Sequence, residues 1–314
     1  MASVIGLSTY SSAAVADTGP KVVVSILPIH SLVQSVMDGV GDAELLVDQK
    51  ASPHGYSLRP SQVRALNKAD LIVWVGEGLE TFLEKPLSQQ PANTTVLELM
   101  DLKTIHLLEN RTAGTWDEHH AEEGHGDHEE EGGHDHDENH NHGKYDPHIW
   151  LSLDNSRAIV KRVGSELVKI DPDNAQLYHK NVEVTLASLG LMKQDISAQM
   201  SNVKNKPYLV FHDAYQYFEQ EFSLNSIGSV TIDPERKPGA KRLTELREHI
   251  RLSGAVCIFS EPQFKPAVVN VLSEGLAIKK GELDPMGSEF EAGKMAYGQL
   301  LNGLAGSITE CLSD

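Results

Sequence analysis

The sequence predicts an α/β protein in which two Rossmann-like lobes are joined by a long rigid helix, and three observations favour this fold. Short apolar runs alternate with helical patterns, as in parallel sheets that helices cover on both faces. The order helix, strand, carboxylate occurs over residues 60–77 and again over residues 241–261. The chain between these two halves is the most helical part of the sequence.

The first half contains three predicted strands and two predicted helices. Residues 22–27 form an apolar run that predicts a buried strand, and a helix is expected over residues 31–38. Residues 44–47 predict the second strand. Pro60 marks the start of the second helix, because a proline in the first turn costs no hydrogen bond. Residues 71–75 are all apolar and predict the third strand.

The second half repeats this pattern of elements. Apolar runs predict strands over residues 208–211 and 255–259. Between them, Leu243, Leu246 and Ile250 lie on one face of a predicted helix. The repeat is weak at the level of single residues, but the order of the elements predicts a second lobe of the same type.

Two helices are expected between the lobes. The first covers residues 154–169, and the second begins at an Asp-Pro-Asp sequence and runs over residues 171–203. The second helix, with about 31 residues, spans roughly 46 Å. A helix of this length can connect the two lobes stiffly, so we expect little closure of one lobe on the other.

The N-terminus and the order of elements predict four regions. Residues 1–18 end in the A-x-A pattern of a signal peptide but lack its basic region, which indicates a truncated or altered leader and export to the periplasm. We expect the first lobe over residues 19–153, the helical region over residues 154–204 and the second lobe over residues 205–314. The sequence contains no run of about 18 apolar residues that would predict a membrane span.

The chain is acidic, with a formal net charge of -18 from 45 acidic and 27 basic residues. This balance argues against nucleic acid as a partner and suits a cationic ligand. Much of the charge lies in residues 117–143, which have no apolar periodicity and predict a disordered loop. Flexible imidazoles among carboxylates predict weak metal sites on this loop. Its eight histidines are His119, His120, His125, His128, His134, His136, His140 and His142.

Three other histidines predict a tight metal site. His54 and His148 each follow a proline on a predicted loop, and His212 directly follows the strand over residues 208–211. Ligands of open α/β sheets bind just outside the carboxyl ends of the strands, where His212 is placed. Three neutral imidazoles form a nitrogen site that suits Zn²⁺.

The fourth ligand of such a site is left open by the sequence. Asp284 and Glu77 are the candidate carboxylates, and water is the third candidate. Asp284 precedes a proline, so it equally fits a turn or a helix cap. Glu77 equally fits a solvated loop acid.

The chain contains only two cysteines, Cys257 and Cys311. A lone pair in an exported protein usually forms a disulfide, which is the interpretation we favour. Two separate buried thiols are the alternative. A bond that closes this span would contribute at most about 4 kcal/mol on the chain-entropy estimate.

Four stretches of the sequence are similar, in the same order, to signatures of the zinc-type periplasmic binding proteins, the ZnuA family of metal-specific solute-binding proteins. These stretches are residues 52–61, 146–152, 211–215 and 283–285. The resemblance covers about residues 21–313. It implies two lobes with the metal in the cleft between them, His54, His148 and His212 as ligands, and a disulfide between Cys257 and Cys311. Some members have an acidic residue before the first histidine, where this chain has Pro53.

The resemblance also implies a function. It predicts a monomer that captures Zn²⁺ in the periplasm and delivers it to an ABC membrane permease, which its ATPase drives. A zinc hydrolase with a metal-activated water is one alternative, although the chain lacks the H-E-x-x-H and G-x-S-x-G motifs. A metal buffer or adhesin without a transporter is the other alternative.

Overall fold

The fold is taken from a computed structural model. It describes residues 19–111, 143–231, 234, 238–265 and 267–313. The predicted leader lies outside the described residues, and so does the histidine-rich segment apart from Gly143. In the described parts of the chain, no helix is both long enough and apolar enough to cross a membrane.

The first lobe is built on a parallel sheet of four strands. The strands are β1 (Val22–Val24), β2 (Glu44–Leu45), β3 (Leu71–Trp74) and β4 (Thr95–Glu98). The helices of this lobe are α1 (Leu27–Met37), α2 (Pro60–Leu66) and α3 (Glu84–Ser88). The sheet has the order β2-β1-β3-β4, and every pair in it is parallel. All residues of β1 and β3 are buried, as their apolar composition predicts.

The first helix begins earlier than the sequence predicted. Helix α1 starts at Leu27 rather than at Ser31, and Pro28 lies in its first turn. A proline there loses no hydrogen bond and its ring fixes a helical φ, so Pro28 begins the helix instead of ending the strand. Ser31 is an interior residue of the helix, and its hydroxyl oxygen accepts a hydrogen bond from the backbone N–H of Tyr297 at 2.9 Å.

Two long helices follow the first lobe. They are α4 (Leu153–Ile170) and α5 (Ala175–Met200), with a single 3-10 turn at Pro172–Asn174 between them. Helix α5 has 26 residues and therefore spans about 39 Å, somewhat less than predicted. The two helices pack closely at Gly164, where a Cβ atom would lie only 2.4 Å from Cγ2 of Val182.

The second lobe repeats the topology of the first. Its strands are β5 (Tyr208–His212), β6 (Ser226–Thr231), β7 (Cys257–Ser260) and β8 (Lys279–Glu282). Its helices are α6 (Gln216–Phe222), α7 (Ala240–Ser253) and α8 (Ala267–Ser273), and the last helix is α9 (Ala296–Leu312). The sheet order β6-β5-β7-β8 corresponds strand by strand to the order in the first lobe. The predicted fold of two parallel-sheet lobes and a long helix is therefore confirmed.

The lobes share a buried core along the helices. Helix α9 packs against α1 and α5, and α1 also packs against α4 and α5. The hydroxyl of Tyr297 donates a hydrogen bond to the backbone oxygen of Trp150 at 2.8 Å, and the indole of Trp150 donates one to the backbone oxygen of Pro285 at 2.8 Å. These contacts connect residues of both halves of the chain beneath the cleft.

Cys257 and Cys311 form a disulfide, as predicted, between β7 and α9. The bond joins residues separated by 54 positions, so loss of both cysteines is expected to lower the free energy of unfolding by up to about 4 kcal/mol. The measurement is denaturant unfolding of the Cys257→Ala/Cys311→Ala protein against the oxidised wild type. Fully reduced wild-type protein is the control and should resemble the variant. A difference below about 1 kcal/mol would contradict the expectation.

Candidate metal centre

Three local structures carry the predicted histidines into one cleft. His54 lies in the 3-10 turn Pro53–Gly55, which begins after Ser52; the hydroxyl oxygen of Ser52 accepts a hydrogen bond from the N–H of His54 at 3.3 Å. His148 precedes the 3-10 turn Ile149–Leu151. His212 is the last residue of β5, so its side chain stands at the carboxyl end of the second sheet.

The three imidazoles face one another. One nitrogen from each of His54, His148 and His212 lies within 4.8 Å of the other two, and among the described residues this is the one group with the geometry to hold a metal ion. The ring centroids are 5.2 to 5.9 Å apart. The Nε2 atoms of His148 and His212 are only 3.3 Å apart. Both of these histidines are buried, and His54 is half-buried.

Two buried carboxylates orient two of the histidines. Nδ1 of His148 donates a hydrogen bond to Oδ1 of Asp146 at 2.7 Å, and Nδ1 of His212 donates one to Oε1 of Glu261 at 2.6 Å. A proton held on Nδ1 leaves the lone pair of Nε2 free for a metal. Both Nε2 atoms therefore present lone pairs to the same point.

The pKa values of the two buried histidines lie on opposite sides of the ordinary value. Burial lowers the pKa of His212, but attraction and hydrogen bonding by Glu261 outweigh it, so the pKa lies above its ordinary value. Burial and repulsion by His212 hold the pKa of His148 well below its ordinary value. Burial raises the pKa of Asp146 to about 7. Of the two buried imidazoles, His212 therefore holds an additional proton more readily than His148 does.

The centre lines a small cavity. Its volume is about 10 Å³, close to the volume that one water molecule or one ion requires. Phe264, Met286 and Gln263 line it together with the three histidines. Apolar walls strengthen the attraction between a cation and the carboxylates behind the histidines, because the local dielectric constant is low.

The two candidate carboxylate ligands lie outside this group of histidines. Both oxygens of Asp284 already accept hydrogen bonds, from Nε2 of Gln263 at 2.7 Å and from the backbone N–H and hydroxyl of Ser288. These contacts are typical of a turn, which is the alternative role that the Asp-Pro sequence predicts for Asp284. Glu77 lies near Glu98 on the first lobe. Neither Asp284 nor Glu77 belongs to the group of described residues that could hold a metal ion.

Asp146 and Glu261, the partners of the two buried histidines, are not predicted by the sequence analysis. Asp146 lies two residues before His148 within the recognised stretch 146–152, a spacing that allows a local hydrogen bond. Glu261 directly follows β7, which pairs in parallel with β5, the strand that ends at His212. The carboxyl ends of neighbouring parallel strands meet at one sheet edge. A carboxylate directly after one strand and a histidine at the end of the next are therefore the pattern that could have identified Glu261.

Comparison with known families gives one consistent result. The profile of the family described as "ZnuA: Zinc-uptake complex component A periplasmic" matches residues 22–311. A protein of Brucella suis biovar 1 (strain 1330), named high-affinity zinc uptake system protein ZnuA, is 40% identical over 324 aligned residues; the alignment covers 98% of this chain and 96% of that protein. A protein of the same name from Yersinia pestis is 38% identical and covers 93% of this chain and 91% of that protein.

Solved structures show the same architecture. One described as "Crystal structure of ZnuA" has a TM-score of 0.76 and 22% sequence identity, and it covers 94% of this chain and 100% of that chain. The periplasmic zinc binding protein TroA from Treponema pallidum has a TM-score of 0.75 and 19% identity, with 94% and 100% coverage. At these identities the likeness concerns the fold alone.

Proposed function

Because the chain belongs to the ZnuA family of periplasmic zinc-uptake components, we propose that it captures Zn²⁺ in the periplasm and delivers the ion to an ABC permease driven by an ATPase. The group formed by His54, His148 and His212 is the observation that carries the proposal. In this function the protein is a monomeric binding protein with lobes at residues 19–153 and 205–314, and zinc is its cargo.

The donor atoms favour zinc over harder cations. Three imidazole nitrogens suit a borderline-soft ion, whereas manganese, magnesium and calcium prefer oxygen ligands. We propose His54, His148 and His212 as the ligands and water as the fourth. The preference for water over a carboxylate is supported by the hydrogen bonds that already occupy both oxygens of Asp284.

The size of the cavity supports binding rather than catalysis. A volume of about 10 Å³ accommodates an ion or a water molecule, whereas organic substrates occupy pockets of roughly 300 Å³ or more. A zinc hydrolase would also need open space beside the metal-bound water. We therefore propose that the centre holds its ion until the protein docks on its permease.

The acidic segment 117–143 is proposed as a second, weaker binding element. Its eight histidines and eleven carboxylates can raise the local concentration of cations, while ordering of the segment around each ion costs entropy. Ions bound there would exchange faster than the ion in the cleft.

Calorimetric titration of the intact protein and of a protein lacking residues 117–142 tests the proposal. The shortened protein keeps Gly143, whose backbone oxygen accepts a hydrogen bond from Asn110 at 2.7 Å. Both proteins should show one tight zinc site, and only the intact protein should show additional weak sites. Loss of the tight site in the shortened protein would assign tight binding to the segment and overturn the cleft assignment.

Two further assays separate the alternative functions. A strain that lacks the gene should grow poorly at limiting zinc and recover with the wild-type gene; normal growth would favour a buffer or adhesin. Turnover of acyl or phosphoryl esters by the zinc-loaded protein would favour the hydrolase.

A further inference from the structure

Two short chain segments, residues 108–111 and 143–146, pair with each other and are called the neck here. The backbone N–H of Asn110 donates a hydrogen bond to the oxygen of Lys144 at 2.9 Å, and that of Asp146 donates one to the oxygen of Leu108 at 2.9 Å. Glu109 and Tyr145 form the antiparallel bridge between them. The neck ends at Asp146, the carboxylate that orients His148.

Polar contacts with α6 and with Asp213, which precedes it, connect the neck to the second lobe. The hydroxyl of Tyr217 donates a hydrogen bond to the backbone oxygen of Asp146 at 2.8 Å and accepts one from the N–H of Leu108 at 3.1 Å. The guanidinium of Arg111 donates to Oδ1 of Asp213 at 3.1 Å and to Oε2 of Glu219 at 2.7 Å. Tyr217 and Arg111 therefore connect the neck to two parts of the second lobe.

The Arg111 contacts are well shielded from solvent. The side chains of Asp213 and Glu219 are 7% and 4% exposed, and that of Arg111 is 21% exposed. Shielded ion pairs with hydrogen bonds hold their geometry far better than pairs on the surface. The forked guanidinium reaches two carboxylates at once, which a lysine ammonium on its flexible stem does less well.

Each end of this connection lies next to one of the candidate ligands. Asp146 is the hydrogen-bond acceptor of His148, and Asp213 is the chain neighbour of His212. We propose that Arg111 is a positioning residue for zinc capture, which fixes the segment of His148 against the segment of His212 without itself contacting the ion. This inference rests on the proposed function, because it assigns Arg111 a role in the affinity of the same centre.

An effect of the Arg111 charge alone would change zinc affinity in the opposite direction from an effect of position. Its positive charge repels a nearby dication, so an effect of charge alone would make zinc bind more tightly once Arg111 is removed. An effect of position makes zinc bind more weakly and leave faster. The direction of the change therefore distinguishes the two effects.

The test measures zinc affinity by chelator competition and zinc release by stopped-flow transfer to a chelator. Arg111→Met is expected to weaken zinc binding and to accelerate zinc release about tenfold. This is the lower end of the loss in metal affinity that follows removal of a residue supporting a metal ligand. Arg111→Lys is expected to lie between Arg111→Met and the wild type. The control is Arg247→Met, which removes hydrogen bonds to the backbone oxygens of Val271 and Glu274, away from the centre, and should release zinc like the wild type.

A double-mutant cycle adds a readout that general loss of stability would not produce. If Arg111 acts through Asp213, the effects of Arg111→Met and Asp213→Asn on zinc release are not additive.

Unchanged or tighter zinc binding in Arg111→Met would overturn the inference. If that variant does not fold, unchanged release in both Arg111→Lys and Tyr217→Phe would overturn it instead. Absence of tight binding in the wild type would count against the proposed function, not against the role of Arg111.

Discussion

Replacement of His212 by alanine is expected to raise the zinc dissociation constant at least about 100-fold, because a ligand is lost and not only an outer partner of a ligand. His212 supplies one of the two buried nitrogens that lie 3.3 Å apart, and Glu261 fixes its orientation. Its removal also deprives the buried Glu261 of the hydrogen bond from Nδ1, which loosens the remaining site. Equilibrium competition with a zinc chelator measures the change.

The design must separate the cleft from the histidine-rich segment. The variants are therefore made in the protein that lacks residues 117–142, where weak sites cannot mask a lost tight one. His148→Ala is expected to match His212→Ala, and the triple variant with His54→Ala should retain no tight site. His179→Ala, which removes an exposed histidine of α5, is the control and should bind as tightly as its parent. A tight site that survives in the triple variant would contradict the ligand assignment.

The architecture followed from the sequence because its determinants are local. Strands that are buried on both faces must be apolar throughout, and the runs at residues 71–75 and 208–211 met this requirement. The two prolines differ in outcome: Pro60 begins a helix as predicted, whereas Pro28 lies in the first turn of a helix where the sequence predicts the end of a strand. The same physical property thus gave one correct boundary and one error.

Only part of the candidate centre can be predicted from the sequence. Histidines in turns and at a strand end can be identified singly, and Asp146 is local to His148, but the partner of His212 depends on which strands pair. Glu261 lies 49 positions from His212 and meets it only because β5 and β7 are neighbours. Arg111 reaches Asp213 and Glu219 across 102 and 108 positions, a contact for which the sequence provides no pattern.

Zinc affinity is expected to fall as the pH is lowered, with His212 as the main site of competition. A group with a raised pKa holds its proton at higher pH, and zinc must displace that proton from Nε2. Affinity is therefore fully present above the pKa of His212 and falls about tenfold for each pH unit below it. His148 contributes to the fall only at lower pH, since its pKa is depressed. Dissociation constants measured between about pH 5 and 7.5 test this, and a constant value over that range would contradict histidine ligation.

The Glu261→Gln variant separates the electrostatic effect on His212 from ligation itself. The amide oxygen can still accept the hydrogen bond from Nδ1, but the negative charge that raises the histidine pKa is lost. Proton competition should then begin at lower pH than in the wild type, while affinity at neutral pH falls about 10- to 100-fold because the imidazole is a weaker base. Unchanged affinity with an unshifted pH profile would show that Glu261 acts only as a hydrogen-bond acceptor. The weaker basicity of the imidazole lowers zinc affinity, whereas the delayed proton competition preserves zinc affinity at acidic pH. The zinc affinities of variant and wild type should therefore converge as the pH is lowered.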